Sequence, residues 1–194
     1  MVDIARSEFI LGGQKSGKSR RAEGLARDWL AADPAHQAVL IATAQAGDGE
    51  MRARIARHRA ERAQRVPGMV TVEEPLALAQ AIARESRPHR LVVVDCLTLW
   101  LTGQLMPLNA EPEEESPNPR AEWSGAASLM EAIEHAPGPL VLVGNEIGLG
   151  VIPLGREVRA FVDALGRLNQ QVAAACERVT LMAAGLPLTL KGRP

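Results

Sequence analysis

The stretch that most limits the fold is GGQKSGKS, Gly12 to Ser19. It matches G-x-x-x-x-G-K-[ST] at every fixed position: Gly12, Gly17, Lys18 and Ser19. The apolar run EFIL (Glu8–Leu11) precedes it and a segment of helical period, Lys18–Ala31, follows it, the strand–loop–helix context that this motif requires. The glycines permit a tight loop. The backbone N–H groups of Gly12, Gly13, Gln14, Lys15, Ser16 and Gly17 can then turn inward towards phosphate oxygens. Lys18 is placed to reach β- and γ-phosphates and the Ser19 hydroxyl to ligate Mg²⁺, and the helix N-terminus adds a favourable dipole. The bland alternative, a chance glycine turn before a helix, does not account for the flanking pattern.

Further short apolar runs punctuate the chain: AVLIA (Ala38–Ala42), MVTV (Met69–Val72), RLVVVD (Arg90–Asp95), PLVLVGN (Pro139–Asn145) and RVTLMAA (Arg178–Ala184). Most are apolar throughout, as strands buried on both faces of a parallel sheet are. Helical segments alternate with them: Gly49–Arg65, Leu76–Glu85, Leu97–Met106, Ala121–His135 and Arg156–Cys176. The expected fold is a P-loop NTPase, three-layer α/β/α with a mostly parallel, RecA-like sheet. LPLTLK at the end can add an antiparallel edge strand. We expect one domain over residues 1–194, interrupted by a mobile surface loop at Met106–Arg120, MPLNAEPEEESPNPR.

Composition excludes several functions. The net charge is −1, which offers nucleic acid no general attraction, and the chain holds no tyrosine and few other aromatics for base stacking. No apolar run is long enough to span a bilayer, and MVDIARSEFILGG does not read as a signal peptide. Cys96 and Cys176 are isolated, so a reducing cytoplasm is the expected location.

RLVVVD ends in Asp95, as an acid that helps hold Mg²⁺ at the end of a buried strand would. An N-cap for the helix at Leu97 is the structural alternative. The guanine-reading NKxD of small GTPases is absent; GNEIG is not that motif.

Four stretches in order, GGQKSGKS, LIATAQAGDGEMRARIARHR, VVVDCLTLWLTG and LVGNEIGLGVIPLGREVRAFVDALGRLNQQVA, resemble the bifunctional adenosylcobinamide kinase / adenosylcobinamide-phosphate guanylyltransferase family of cobalamin biosynthesis. The resemblance covers nearly the whole chain outside the acidic loop. NEIGLGVIP (Asn145–Pro153) and GRLNQ (Gly166–Gln170) are more specific than the P-loop. It implies phosphorylation of adenosylcobinamide by ATP or GTP, then transfer of GMP from GTP to the product through a guanylyl-histidine. The matching pattern E-M-x-x-R-I-x-x-H falls on Glu50, Met51, Arg54, Ile55 and His58, with Arg57 where the family often has a second histidine. The resemblance further implies nucleotide contacts at Gly12–Ser19, at Ile41, Ala42 and Thr43, at Arg59, Ala60, Glu61 and Arg62, at Glu73 (or Glu74 beside it) and at Asp95. It also implies a homotrimer.

At about 100° per residue, Met51, Ile55, His58 and Arg62 share one stripe of the helix, while Arg52, Arg57 and Arg59 lie off it. His58 is thus expected to face the protein rather than the solvated arginine face. Its spacing alone favours a partly buried structural histidine capping that stripe, and the P-loop together with the resemblance reverses that reading. As a nucleophile it must attack as neutral imidazole, and nearby arginines would neutralise phosphate charge. Arg62, and after it Arg59, are the expected phosphate contacts. His36, His89 and His135 are expected at the surface with no metal-binding spacing.

Asn145 and Glu146 lie at a strand's carboxyl end, where α/β folds place ligands, although Asn145 also suits a turn. Arg167 and Asn169 fit a solvated helix face or a phosphate or subunit contact. Two rival readings remain open: a single-function small-molecule P-loop kinase, and a non-catalytic nucleotide-binding module.

Overall fold

The computed structural model describes residues 4–47, 49–106, 124–151 and 153–193. Most of the acidic loop expected at Met106–Arg120 therefore lies outside the described residues. The elements run β1 Ser7–Gly12, α1 Lys18–Ala32, β2 Gln37–Ala42, α2 Gly49–Arg65, β3 Val70–Glu73, α3 Leu78–Glu85, β4 Arg90–Asp95, α4 Leu97–Leu105, α5 Ser124–His135, β5 Leu140–Val143, α6 Arg156–Ala175, β6 Arg178–Ala183 and β7 Leu186–Lys191.

All seven strands join one sheet in the order β3-β2-β4-β5-β1-β6-β7. Every pairing is parallel except β6–β7, so LPLTLK does form an antiparallel edge. One strand, β5, separates the strand that feeds the P-loop from the strand that ends in Asp95.

The apolar runs are explained by burial on both faces. Phe9, Leu11, Ile41, Val92, Val94 and Leu142 alternate onto one face, beneath Leu78 and Ile82 of α3, Trp100 of α4, Leu129 and Ile133 of α5, and Leu165, Leu168 and Val172 of α6. Ile10, Leu40, Leu91, Val93, Val141 and Val143 point the other way, against Ala22 and Ala26 of α1. Period-2 alternation thus survives in space although both phases are apolar in sequence. The small alanines let α1 lie close to the sheet, which fixes the helix whose N-terminus ends the P-loop.

Candidate active site

The site is assembled at the carboxyl ends of the parallel strands, where open α/β sheets bind ligands. A cleft of about 1340 Å³ runs across this edge. Its walls include Gln14–Arg21 of the loop and α1, Asp95 at the end of β4, Asn145 after β5, Ala184 and Gly185 between β6 and β7, and Ile55, Arg57, His58, Arg59 and Arg62 of α2.

The loop has the backbone its glycines predict. Gly17 has φ 103° and opens α1 with no side-chain cap, so first-turn N–H groups remain for an anion. Gly12 has φ 152°, and a Cβ there would meet Met182 O and Ser16 Oγ, each at 2.5 Å. Ser16 Oγ is buried without a hydrogen-bond partner.

Lys18 is buried and its Nζ donates to Gly13 O at 2.6 Å. Desolvation lowers its pKa, against the opposing pull of Cys96 and Asp95. Asp95 is only partly exposed, and desolvation raises its carboxyl pKa. A hydrogen bond from Ser19 and positive charge at Arg62 and at His58 oppose that shift, while Glu23 adds to it. Arg62, Glu23 and His58 thus all lie close enough to Asp95 to act on its carboxyl. Burial pushes the adjacent Cys96 thiol up to about 11, which leaves it a poor nucleophile.

Helix α2 spans Gly49–Arg65 as its pattern predicts, but its orientation differs from the expected one. His58 is exposed in the cleft rather than turned into an apolar stripe, and Arg57 and Arg59, expected off the stripe, line the same cleft. The physical reason is that α2 walls an open cleft instead of lying flat on the sheet, so a wider arc of its surface meets the same space. Arg62 is 12% exposed at its side chain; its Nη1 donates to Thr71 Oγ1 at 3.4 Å. Glu73 lines the cleft and lies 3.7 Å from Arg59. Glu74 instead accepts from the Leu76 and Ala77 backbone.

Several expected contacts are not brought to the cleft as side chains. Ile41 is fully buried in the core. The Thr43 hydroxyl donates to Cys96 O at 2.7 Å and accepts from Cys96 N at 2.9 Å, so it joins the ends of β2 and β4. Glu61 pairs with Arg65 within α2 at 3.3 Å, and Ala60 is exposed outside the cleft. Only Ala42 of the Ile41–Thr43 group lines it.

Asn169 is buried rather than on a solvated face, and its Nδ2 donates to Asn145 O at 3.1 Å. The Asn145 N–H is held by Thr98 Oγ1 at 2.9 Å. Glu146 accepts from Gly148 N at 2.8 Å, and its own N–H donates to Gly12 O at 3.1 Å. The NEIG block thus braces the P-loop from the neighbouring strand. Arg167 is exposed. His36 is half-buried, stacked on Trp29 with centroids 3.6 Å apart, whereas His89 and His135 are at the surface. Among the described residues no group of three or more His, Cys, Asp or Glu side chains could hold a metal ion. Sequence reasoning missed the wall formed by Ala184 and Gly185; its only signal was Gly185, which turns β6 into β7 at φ 82°.

The sheet order, the loop and the acid at the end of β4 define a P-loop NTPase of RecA-like α/β/α architecture. The flagellar accessory protein FlaH from Methanocaldococcus jannaschii shares the fold, with a TM-score of 0.51 at 10% identity, covering 98% of this chain and 80% of that one. The cobinamide kinase / cobinamide phosphate guanyltransferase family model matches residues 8–190. The chain is 47% identical over 190 residues to the bifunctional adenosylcobalamin biosynthesis protein CobP of Pseudomonas aeruginosa, covering 96% of this chain and 98% of that protein. It is 35% identical over 193 residues to CobU of Escherichia coli, a protein of the same description, covering 94% and 98%. The chain belongs to the cobinamide kinase / cobinamide phosphate guanyltransferase family, and it is an enzyme of that kinase and nucleotidyltransferase class.

Proposed function

We propose that this one cleft serves both reactions and that His58 carries the guanylyl group between them. The observation that carries the reading is the shared cleft: His58, Arg59 and Arg62 line it together with Lys18, Ser19 and Asp95. In the kinase reaction the adenosylcobinamide hydroxyl attacks the γ-phosphorus of ATP or GTP. It loses its proton, and the nucleoside diphosphate leaves. In the transferase reaction an imidazole nitrogen of His58 attacks the α-phosphorus of GTP. The bond to the β-phosphate oxygen breaks and pyrophosphate departs. A phosphate oxygen of adenosylcobinamide phosphate then displaces His58, breaking the P–N bond and giving adenosylcobinamide-GDP. Splitting one transfer into two displacements is the advantage of a covalent carrier.

Lys18 balances charge on the transferring phosphate from a desolvated position, where such an interaction is strong. Arg62, and at the cleft mouth Arg59, do the same for the displaced phosphates. Ser19 and Asp95 are the residues that would hold Mg²⁺. A carboxylate whose burial is not fully offset fits a cation, and Mg²⁺ is ordinarily held by one or two protein oxygens plus phosphate. When bound it supplies positive charge to phosphate oxygens.

The same reading includes a homotrimer in the cytoplasm. Leu149, Val151 and Leu154 are 82%, 96% and 96% exposed, and Leu186, Leu188 and Leu190 are exposed along β7. Exposed apolar side chains grouped in this way support a protein contact there. Both cysteines are free and buried, and no helix among the described residues is long and apolar enough to cross a membrane.

Supplied with adenosylcobinamide, Mg²⁺, ATP and GTP, the protein should yield adenosylcobinamide-GDP and pyrophosphate. His58→Ala should stop at adenosylcobinamide phosphate. Continued formation of adenosylcobinamide-GDP by His58→Ala would refute the histidine's role.

A further inference from the structure

Glu23 is buried, charged and absent from the cleft wall, yet it contacts two arginines of α2. It sits one turn beyond Ser19 on α1. Arg65 Nε and Nη2 donate to its two oxygens at 2.6 and 3.1 Å, a bidentate pairing. Arg62 Nε lies 3.9 Å from Glu23 Oε1 and has no hydrogen-bond partner although it is buried. The Glu23 side chain is only 7% exposed. Among the described residues, the other ion pair from α2 to the rest of the protein is Arg59–Glu73, longer at 3.7 Å and exposed on both sides; such a pair holds little.

We propose that Glu23 is the positioning residue for guanylyl transfer, fixing the nucleophile's helix to the phosphate-binding helix. The spacing supports this. Ser19 stands one turn before Glu23 on α1, while His58 stands one turn before Arg62 and two before Arg65 on α2. The Glu23–Arg65 clamp ties the two helices beside Ser19 and His58 without itself entering the cleft. A misplacement of about 1 Å is enough to cost a displacement reaction heavily.

This role rests on His58 being the guanylyl acceptor, so the test measures both. The full-length protein is mixed with Mg²⁺ and GTP labelled at the α-phosphate, and the rate of covalent labelling is followed against GTP concentration. For Glu23→Gln, which keeps the side chain's size, we expect the rate at saturating GTP to fall about 10- to 100-fold, with GTP affinity little changed. Arg65→Ala, at a more exposed position, should reproduce that split. Combining the two should cost no more than either alone, as expected of one interaction. A Glu23→Gln rate like that of the wild type, or a loss of affinity in step with rate, overturns the role; so does an additive double variant. Absence of label on the wild-type protein would refute the guanylyl-histidine itself, whereas a labelled wild type with an unaffected variant refutes the positioning alone.

Discussion

At the scale of single residues, Asp95 shows a stability cost accepted at a working site. Burial holds its carboxyl pKa above the ordinary 3.8 despite the Ser19 hydrogen bond and the charge of Arg62. Wherever that carboxyl is ionised, the folded chain bears a desolvated carboxylate that the unfolded chain carries in water. Asp95→Asn keeps an oxygen to accept from Ser19 and removes that cost. The gain should be full above the raised pKa, shrink as the pH falls through it, and vanish below 3.8, where both states of the wild type are protonated. Thermal melts should show the midpoint of Asp95→Asn rising relative to the wild type as the pH is raised from below 3.8, by roughly 2–4 °C for each kcal/mol in a chain of this size. Phosphoryl and guanylyl transfer should fall by at least about 100-fold, a loss typical of removing one charge-stabilising group. Lys18→Met should abolish both reactions for a related reason: no other lysine lies at the end of the P-loop.

At the scale of elements, the loop's backbone makes a separate demand. Gly12→Ala would place a Cβ 2.5 Å from both Met182 O and Ser16 Oγ at a positive φ, so the loop must shift. We expect a destabilisation of about 1–3 kcal/mol by denaturant titration together with loss of nucleotide binding. The P-loop, the strands and the span of α2 were legible because glycine spacing and apolar runs are local signals. Orientation was not. Periodicity places His58, Ile55 and Arg62 on one stripe but says nothing of what faces it. An open cleft, not a packed core, meets that side of α2, and Arg57 shares the cleft for that reason. Asn169 is a second case: on α6 it shares a buried face with Leu165, Leu168 and Val172, and its amide reaches Asn145 O, a contact that only the fold supplies. Glu23 carried no sequence signal at all, since its partners lie 39 and 42 positions further along the chain.

At the scale of the whole molecule, two strips of apolar surface remain exposed, one around Leu149–Val158 and one along β7. If they form the contact between protomers, Leu149→Glu with Leu188→Glu should convert a particle of three times the chain's mass into monomers, as light scattering after size-exclusion chromatography would show. Neither leucine lies in the core, so the monomer's thermal midpoint should report on assembly and not on loss of packing. The fold brings residues from well-separated segments, among them Gln14, Lys18, Ala42, His58, Glu73, Asp95, Asn145 and Gly185, to one cleft. In the proposed scheme two chemistries can share that cleft because each acts on a nucleoside triphosphate, one at its γ- and one at its α-phosphorus. Covalent loading of His58 is the step on which the proposed guanylyl transfer turns. The most direct measurement is mass spectrometry of the wild-type protein and of His58→Ala after incubation with Mg²⁺ and GTP, without corrinoid. We expect the wild type to gain a single GMP adduct, stable to alkali and labile to acid, located on the peptide that contains His58, and we expect the variant to gain none. An unmodified wild-type chain, or an adduct that persists in His58→Ala, would contradict it.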